Sequence, residues 1–172
     1  LALALFYSFQ TVATFGLQQF ITGEVAKQTG ESQRYFTNAL TIGLATSTIA
    51  TALMMAMTVL LDYSQATRNL ILVISLGIIP FVIGSICDSV VRGWEKMHLI
   101  AFAQIPANAI KVVATTAVIY SGGGVLEVIA ILAGVQFIIA AILFSLVAIH
   151  LKGFQWNAIS FPFAWSMAKR SS

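Results

Sequence analysis

Apolar residues run along this chain in long blocks, each closed by a short polar segment. A helix rises 1.5 Å per residue, so about 20 apolar residues cross the hydrocarbon of a bilayer. The blocks predict five transmembrane spans, at about 1–22, 35–61, 70–91, 99–120 and 125–149. The connectors between them are GEVAKQTGESQ (23–33), DYSQATRN (62–69), RGWEKMH (92–98) and SGGG (121–124). Pro80, with Gly77 and Gly84 on either side, predicts a kink in the third span, because proline removes a ladder hydrogen bond. The last span is apolar nearly all round apart from Glu127 and Gln136, as suits a helix with much of its surface in lipid. Residues 151–172 mix Trp156, Phe161, Phe163 and Trp165 with Lys169 and Arg170 around Pro162, which predicts an interfacial linker and the start of a further helix. The fold class is all-α, a polytopic membrane helical bundle. The first block is apolar from Leu1, with no initiator Met and no basic leader, so the chain reads as a fragment of a larger protein.

Two spans carry polar stripes. Gln104, Asn108, Lys111 and Thr115 recur at spacings of four, three and four, which stacks them on one side of a helix otherwise covered by Ile105, Ile110, Val112, Val113 and Ala117. An ammonium at mid-bilayer costs roughly 2.5 to 3.5 kcal/mol on insertion scales, so Lys111 should face protein or water. Tyr7, Gln10, Thr14 and Gln18 form the second stripe, on the first span. In the second span Asn38, Thr41 and Thr48, continued by Ala45 and Ala52, make a small, mildly polar face suited to close packing on a neighbour.

Composition supports the membrane reading independently. Of 172 residues, 59% are hydrophobic and only 9% charged, with mean hydropathy +0.92, against about 25% charged in soluble domains. The net charge of +3 does not point to nucleic acid, because the basic residues are scattered between apolar blocks. They set orientation instead. Connectors 23–34, 92–98 and 150–170 hold Lys27, Arg34, Arg92, Lys96, Lys152, Lys169 and Arg170, whereas 62–69 and 121–124 hold only Arg68. By the positive-inside rule the first set is cytoplasmic, and the first span runs from outside to inside. The single cysteine, Cys87, excludes an internal disulfide and any multi-cysteine metal site.

No HExxH, GxxxxGK[ST], GxSxG or Cys/His cluster occurs, so neither a cofactor nor a metal is expected. His98 and His150 fall at helix ends, where a cation complements the helix dipole. Asp88 and Arg92 stand four apart on one helix. They are either a self-neutralised ion pair or a cytoplasmic gate. Lys111 has no acid on its own helix and lies about 18 Å beyond Leu99, whereas Asp88 is only about 6 Å beyond Arg92. Its partner is a structural group, such as helices of the same chain outside this segment or backbone carbonyls, or it is a ligand.

Phe15-Gly16-Leu17 leading to Glu24-Val25-Ala26, then Arg34-Tyr35 with Asn38-Ala39-Leu40, then Arg92-Gly93-Trp94-Glu95-Lys96-Met97, resembles the lipid-linked oligosaccharide flippases of polysaccharide biosynthesis (O-antigen type). These belong to the multidrug, oligosaccharidyl-lipid and polysaccharide exporter superfamily. One departure is Gly23, which stands where the pattern commonly has a basic residue before the glutamate. The resemblance implies two six-helix bundles around a cavity that opens alternately to each side, with residues 1–150 as part of the first bundle and 151–172 as the linker. It implies a multi-pass protein of the bacterial cytoplasmic membrane, whose cargo is an oligosaccharide on undecaprenyl diphosphate.

Polar stripes on several spans and the lack of a catalytic constellation favour transport over an enzyme. A drug or cation exporter of the same superfamily is the runner-up. A lipid-carrier transferase would need clustered acids near one interface, and a structural membrane subunit is the third class. The candidate substrate-binding residues are Lys111, Asn108, Gln104, Thr115, Gln10 and Gln18, with Lys111 set to attract the diphosphate of the carrier.

Overall fold

The computed structural model describes residues 2–14, 16–60 and 63–151, and every regular element among them is helical. In order these are α1 (Ala2–Thr14), α2 (Leu17–Lys27), a 3₁₀ turn (Thr29–Glu31), α3 (Ser32–Leu60), α4 (Gln65–Ser75), α5 (Ile78–Gly93), α6 (Met97–Tyr120) and α7 (Val125–His150). Four stretches are long and apolar enough to cross a membrane: Thr29–Thr58, Gln65–Gly93, Met97–Tyr120 and Val125–His150. The protein is an all-helical, multi-pass membrane protein. The interfacial linker expected over 151–172 lies, from Lys152 onward, outside the described residues.

Two of the expected spans are broken helices. The first is divided at Gly16, whose φ of 70° is left-handed and costs little only for glycine. The third divides between α4 and α5, at Leu76–Gly77, rather than at Pro80. The reason is local: proline lacks the N–H that would reach the carbonyl four residues back, which is Leu76, and its ring crowds that carbonyl. The chain answers with a tighter bond from Gly77 N–H to Ile74 O at 2.9 Å, and Pro80 then sits in the first turn of α5, where a missing donor costs nothing. Pro106, by contrast, lies inside α6 without ending it.

Helix α5 is the centre of the bundle. Ile78, Val82, Ile86 and Val90 are fully buried on it, and α1, α2, α3, α6 and α7 all pack against it. Lipid is as apolar as leucine, so this packing must come from close fit rather than from escape from water. Small residues supply that fit. A Cβ on Gly93 would lie 2.7 Å from Val25 Cβ, and one on Gly84 would touch Ala140 at 3.6 Å, so α2 and α7 approach α5 at its glycines. Gly43 brings α3 to Ile86 and Val82 in the same way. That face of α3, through Phe36, Ala39, Gly43, Ala50 and Met54, is the buried one. The polar face read from the sequence does not pack as expected: Asn38 is buried, but Thr41, Ala45, Thr48 and Ala52 are exposed.

Helices α5 and α6 end in the same motif with different residues. After α6, Gly122 is left-handed (φ 79°), and Gly123 N–H and Gly122 N–H return to Val118 O and Ile119 O. After α5, Lys96 N–H and Glu95 N–H return to Val91 O and Arg92 O in identical register, but the left-handed residue is Glu95, at φ 58°. A non-glycine there costs about 1 to 2 kcal/mol. The turn carries Trp94 and Lys96 toward the ends of α3 and α7, where Trp94 Nε1 donates to Ser32 Oγ at 2.9 Å.

Candidate functional site

A polar cleft of about 200 Å³ opens between α2, α5, α6 and α7. Its polar lining is Gln18 from α2, Ser85 and Asp88 from α5, Gln104 and Asn108 from α6, and Gln136 from α7. Phe81, Ile139 and Leu143 form its apolar wall. Through Gln18 and Asp88 it continues into a wider cleft of about 520 Å³, bordered by Gln19, Thr22, Gly23, Ser89 and Arg92. A neighbouring groove of about 410 Å³, between Leu40, Leu44, Ile83, Phe137 and Phe144, is apolar and offers no group to orient a polar ligand.

Each polar side chain reaches the cleft for a local reason. Gln104 and Asn108 are one turn apart on α6, beside the buried strip Ile100, Ala103 and Ala107 that packs the helix down. The opposite face, with Phe102, Ile105, Val112 and Val113, is exposed. On α5, Ser85 and Asp88 lie one turn apart on the side left open by Gly84. Helix α2 is tied to α5 by Thr22 Oγ1 donating to Ser89 O at 3.1 Å, which fixes Gln18 one turn further along.

Asp88 and Arg92 form an ion pair, Arg92 Nε to Asp88 Oδ2 at 2.6 Å. The Asp88 side chain is 18% exposed against 48% for Arg92, so the pair straddles the wall of the cleft. It satisfies only one carboxylate oxygen. Asp88 Oδ1 is buried and has no hydrogen-bond partner, an uncommon and costly state for a charged group.

Lys111 does not line the cleft. It donates from Nζ to Asn108 Oδ1 at 2.7 Å and is half-buried, one turn beyond the lining residues, and among the described residues no carboxylate pairs with it. Thr115 lies a turn further on, its Oγ1 buried without a partner. Gln10 is buried on α1, away from the cleft; the left-handed break at Gly16 changes the helical phase, so Gln10 and Gln18 do not continue one stripe. The structure therefore brings together Gln18, Gln104, Asn108 and Asp88, joins Lys111 to them through Asn108, and leaves Gln10 and Thr115 apart. Gln136 and Ser85 are lining residues that sequence patterning passed over. Gln136 had one available signal, as the polar side chain midway along an apolar span.

Chemically the cleft is a ring of carboxamides with an anion on one side and a cation beside it. Carboxamides donate and accept at once, which matches hydroxyl-rich ligands. No group of three or more His, Cys, Asp or Glu side chains that could hold a metal occurs among the described residues.

Comparison with curated proteins and with solved structures returns no match. The family described as polysaccharide biosynthesis protein matches residues 1–169, which takes in every described helix and the whole cleft. By that match the chain belongs to the polysaccharide biosynthesis protein family.

Proposed function

We propose that the protein transports a lipid-linked oligosaccharide, carried on undecaprenyl diphosphate, across the bacterial cytoplasmic membrane by alternating access, and that it is not an enzyme. The observation that carries this reading is the carboxamide ring of Gln18, Gln104, Asn108 and Gln136 inside a bundle of membrane-spanning helices. Of these amides Gln104 and Gln136 are partly buried and Gln18 and Asn108 exposed; amides at membrane depth are expensive against lipid and useful against sugar hydroxyls. Lys111, held beside the ring by Asn108, is the cation for the diphosphate, and the attraction between the two is stronger in a low-dielectric cavity than in water.

One observation favours a cationic cargo as the second reading: the buried, unpartnered Asp88 Oδ1 on the cleft wall. Reconstituted translocation of lipid-linked oligosaccharide by the full-length protein separates the two. On the sugar reading, Gln104→Ala combined with Gln136→Ala lowers the rate at least tenfold at equal protein, while Asp88→Asn with an intact carboxamide ring retains most of it. Absence of oligosaccharide translocation by wild type, with Asp88-dependent efflux of an organic cation from the same proteoliposomes, supports the cation exporter and refutes the sugar reading.

A further inference from the structure

At the end of the bundle where α5 and α7 finish, a second cavity of about 310 Å³ shares no lining residue with the polar cleft. Thr29, Ser32, Trp94, Lys96 and His150 surround it. Its chemistry is unusual among the basic residues at this end. Lys27 pairs with Glu24 at 2.8 Å, a hydrogen bond and a charge that together raise its pKa above the usual lysine value. Arg34 pairs with Glu31 at 3.8 Å, and Arg92 with Asp88. Lys96 pairs with no carboxylate among the described residues. Its Nζ instead meets His150 Nε2 at 2.6 Å.

An ammonium has no lone pair, so a charged Lys96 is the donor in that contact and His150 Nε2 the acceptor. Two basic groups thus face one cavity with no anion between them. Both are held there. The Trp94 ring packs against the His150 ring, with centroids 4.7 Å apart and the planes tilted by 44°, and Trp94 is itself fixed by its bond to Ser32. Lys96 follows the left-handed Glu95, a strained position of the kind that persists where surrounding structure holds it for use. The cavity sits where four candidate membrane spans begin or end, a position that corresponds to the level of lipid headgroups, and tryptophan is at home at that level.

We propose that this cavity binds the phosphodiester of an anionic membrane lipid, with Lys96 and His150 as its basic walls and Trp94 as the ring that positions His150. A phosphate oxygen between the two side chains accepts a charge-assisted hydrogen bond from Lys96 and a second hydrogen bond from the imidazole N–H, replacing a contact between two basic groups. The source is the lipid headgroup rather than free phosphate, because the cavity lies at headgroup depth and Leu151 beside it offers an apolar wall for the start of an acyl chain. This site is independent of the transport reading.

The test uses the full-length protein in nanodiscs containing phosphatidylglycerol and phosphatidylcholine, with retained lipid measured by native mass spectrometry. Wild type should retain phosphatidylglycerol in preference. Lys96→Gln should reduce that preference about fivefold, the effect of one basic residue near a membrane surface. His150→Gln should reduce it too, and Lys96→Arg should largely keep it. Lys27→Gln, which removes an exposed cation already paired with Glu24, should leave it unchanged. Equal loss from Lys27→Gln would mean general surface charge and would overturn the site, as would full retention in Lys96→Gln. Displacement of the lipid by millimolar inorganic phosphate, dependent on Lys96, would assign a free anion and overturn the lipid assignment.

Discussion

Lys111 donates from Nζ to Asn108 Oδ1 at 2.7 Å, so the cation of α6 is held by the same carboxamide that lines the cleft. The two residues are three apart on one helix, and the bond needs no help from a neighbouring element. Asn108 therefore has two tasks, and separating them is informative. In Asn108→Ala the lysine loses its tether and the cleft loses an amide. In Lys111→Gln the cleft keeps its lining and loses the charge beside it. If Lys111 attracts the carrier diphosphate, Lys111→Gln should lower transport per molecule at least tenfold with normal protein abundance, and Lys111→Arg should keep part of it. Complementation of surface polysaccharide, normalised to membrane protein level, reads both, and full activity in Lys111→Ala would reject the role.

Packing of α2 on α5 depends on Gly93. A Cβ there meets Val25 Cβ and Cγ1 at 2.7 Å, and Val25 Cβ sits one bond from the backbone, so it cannot swing aside. Gly93→Ala should destabilise the protein by about 1 to 3 kcal/mol, the usual cost of overpacking. Gly84→Ala, whose Cβ would make ordinary contact with Ala140 at 3.6 Å, should cost much less. Thermal unfolding in detergent compares the two, and equal stability of both variants would show that the α2–α5 contact is looser than described.

Glu95 and Gly122 occupy the same left-handed position in equivalent turns. Glu95→Gly should therefore stabilise the protein by about 1 kcal/mol, and Gly122→Ala should destabilise it by a similar amount. The same unfolding measurement checks this pair. A loss of stability in Glu95→Gly would mean that the glutamate side chain holds the turn.

Chain alternation, with the Trp94–Ser32 and Lys96–His150 bonds, places residues 28–32, 94–96 and 150–151 at one end of the bundle and 63–64 and 121–124 at the other. Lys27, Arg34, Arg92 and Lys96 lie toward the first end and Arg68 toward the second, so the first end should be cytoplasmic. In intact cells carrying a protein without Cys87, a cysteine at Gln65 or Gly123 should react with an impermeant thiol reagent. One at Gln28 should react only after permeabilisation. The opposite pattern would invert the topology.

Much of the fold was legible because lipid imposes a simple rule: long apolar blocks become helices, and the spans expected at 35–61, 99–120 and 125–149 match α3, α6 and α7 to within three residues at each end. The breaks were less legible. Gly16 carries no more signal in the sequence than Gly43 or Gly84, which stay inside or alongside helices, and the effect of Pro80 falls on Leu76, where its missing bond would have ended. Stripe logic found Gln104 and Asn108, since they share one unbroken helix. Gln18 of α2, grouped with them from the stripe of the first span, does line the same cleft, but Gln136 of α7 was passed over, because helical periodicity says which side chains share a face but not which faces meet. The small polar face of α3 shows the same limit, pointing outward while an adjacent face with Gly43 packs inward.

The most direct measurement of the central claim is photocross-linking of radiolabelled lipid-linked oligosaccharide to the full-length protein, with a photoreactive residue at Gln104 or Gln136 in the cleft, or at Val113 on the exposed apolar face of α6. Label should transfer at 104 and 136, compete away with excess unlabelled cargo, and be near background at 113. Equal labelling at 113, or none at the two cleft positions in a protein that still transports, would contradict the assignment of the cleft as the cargo path.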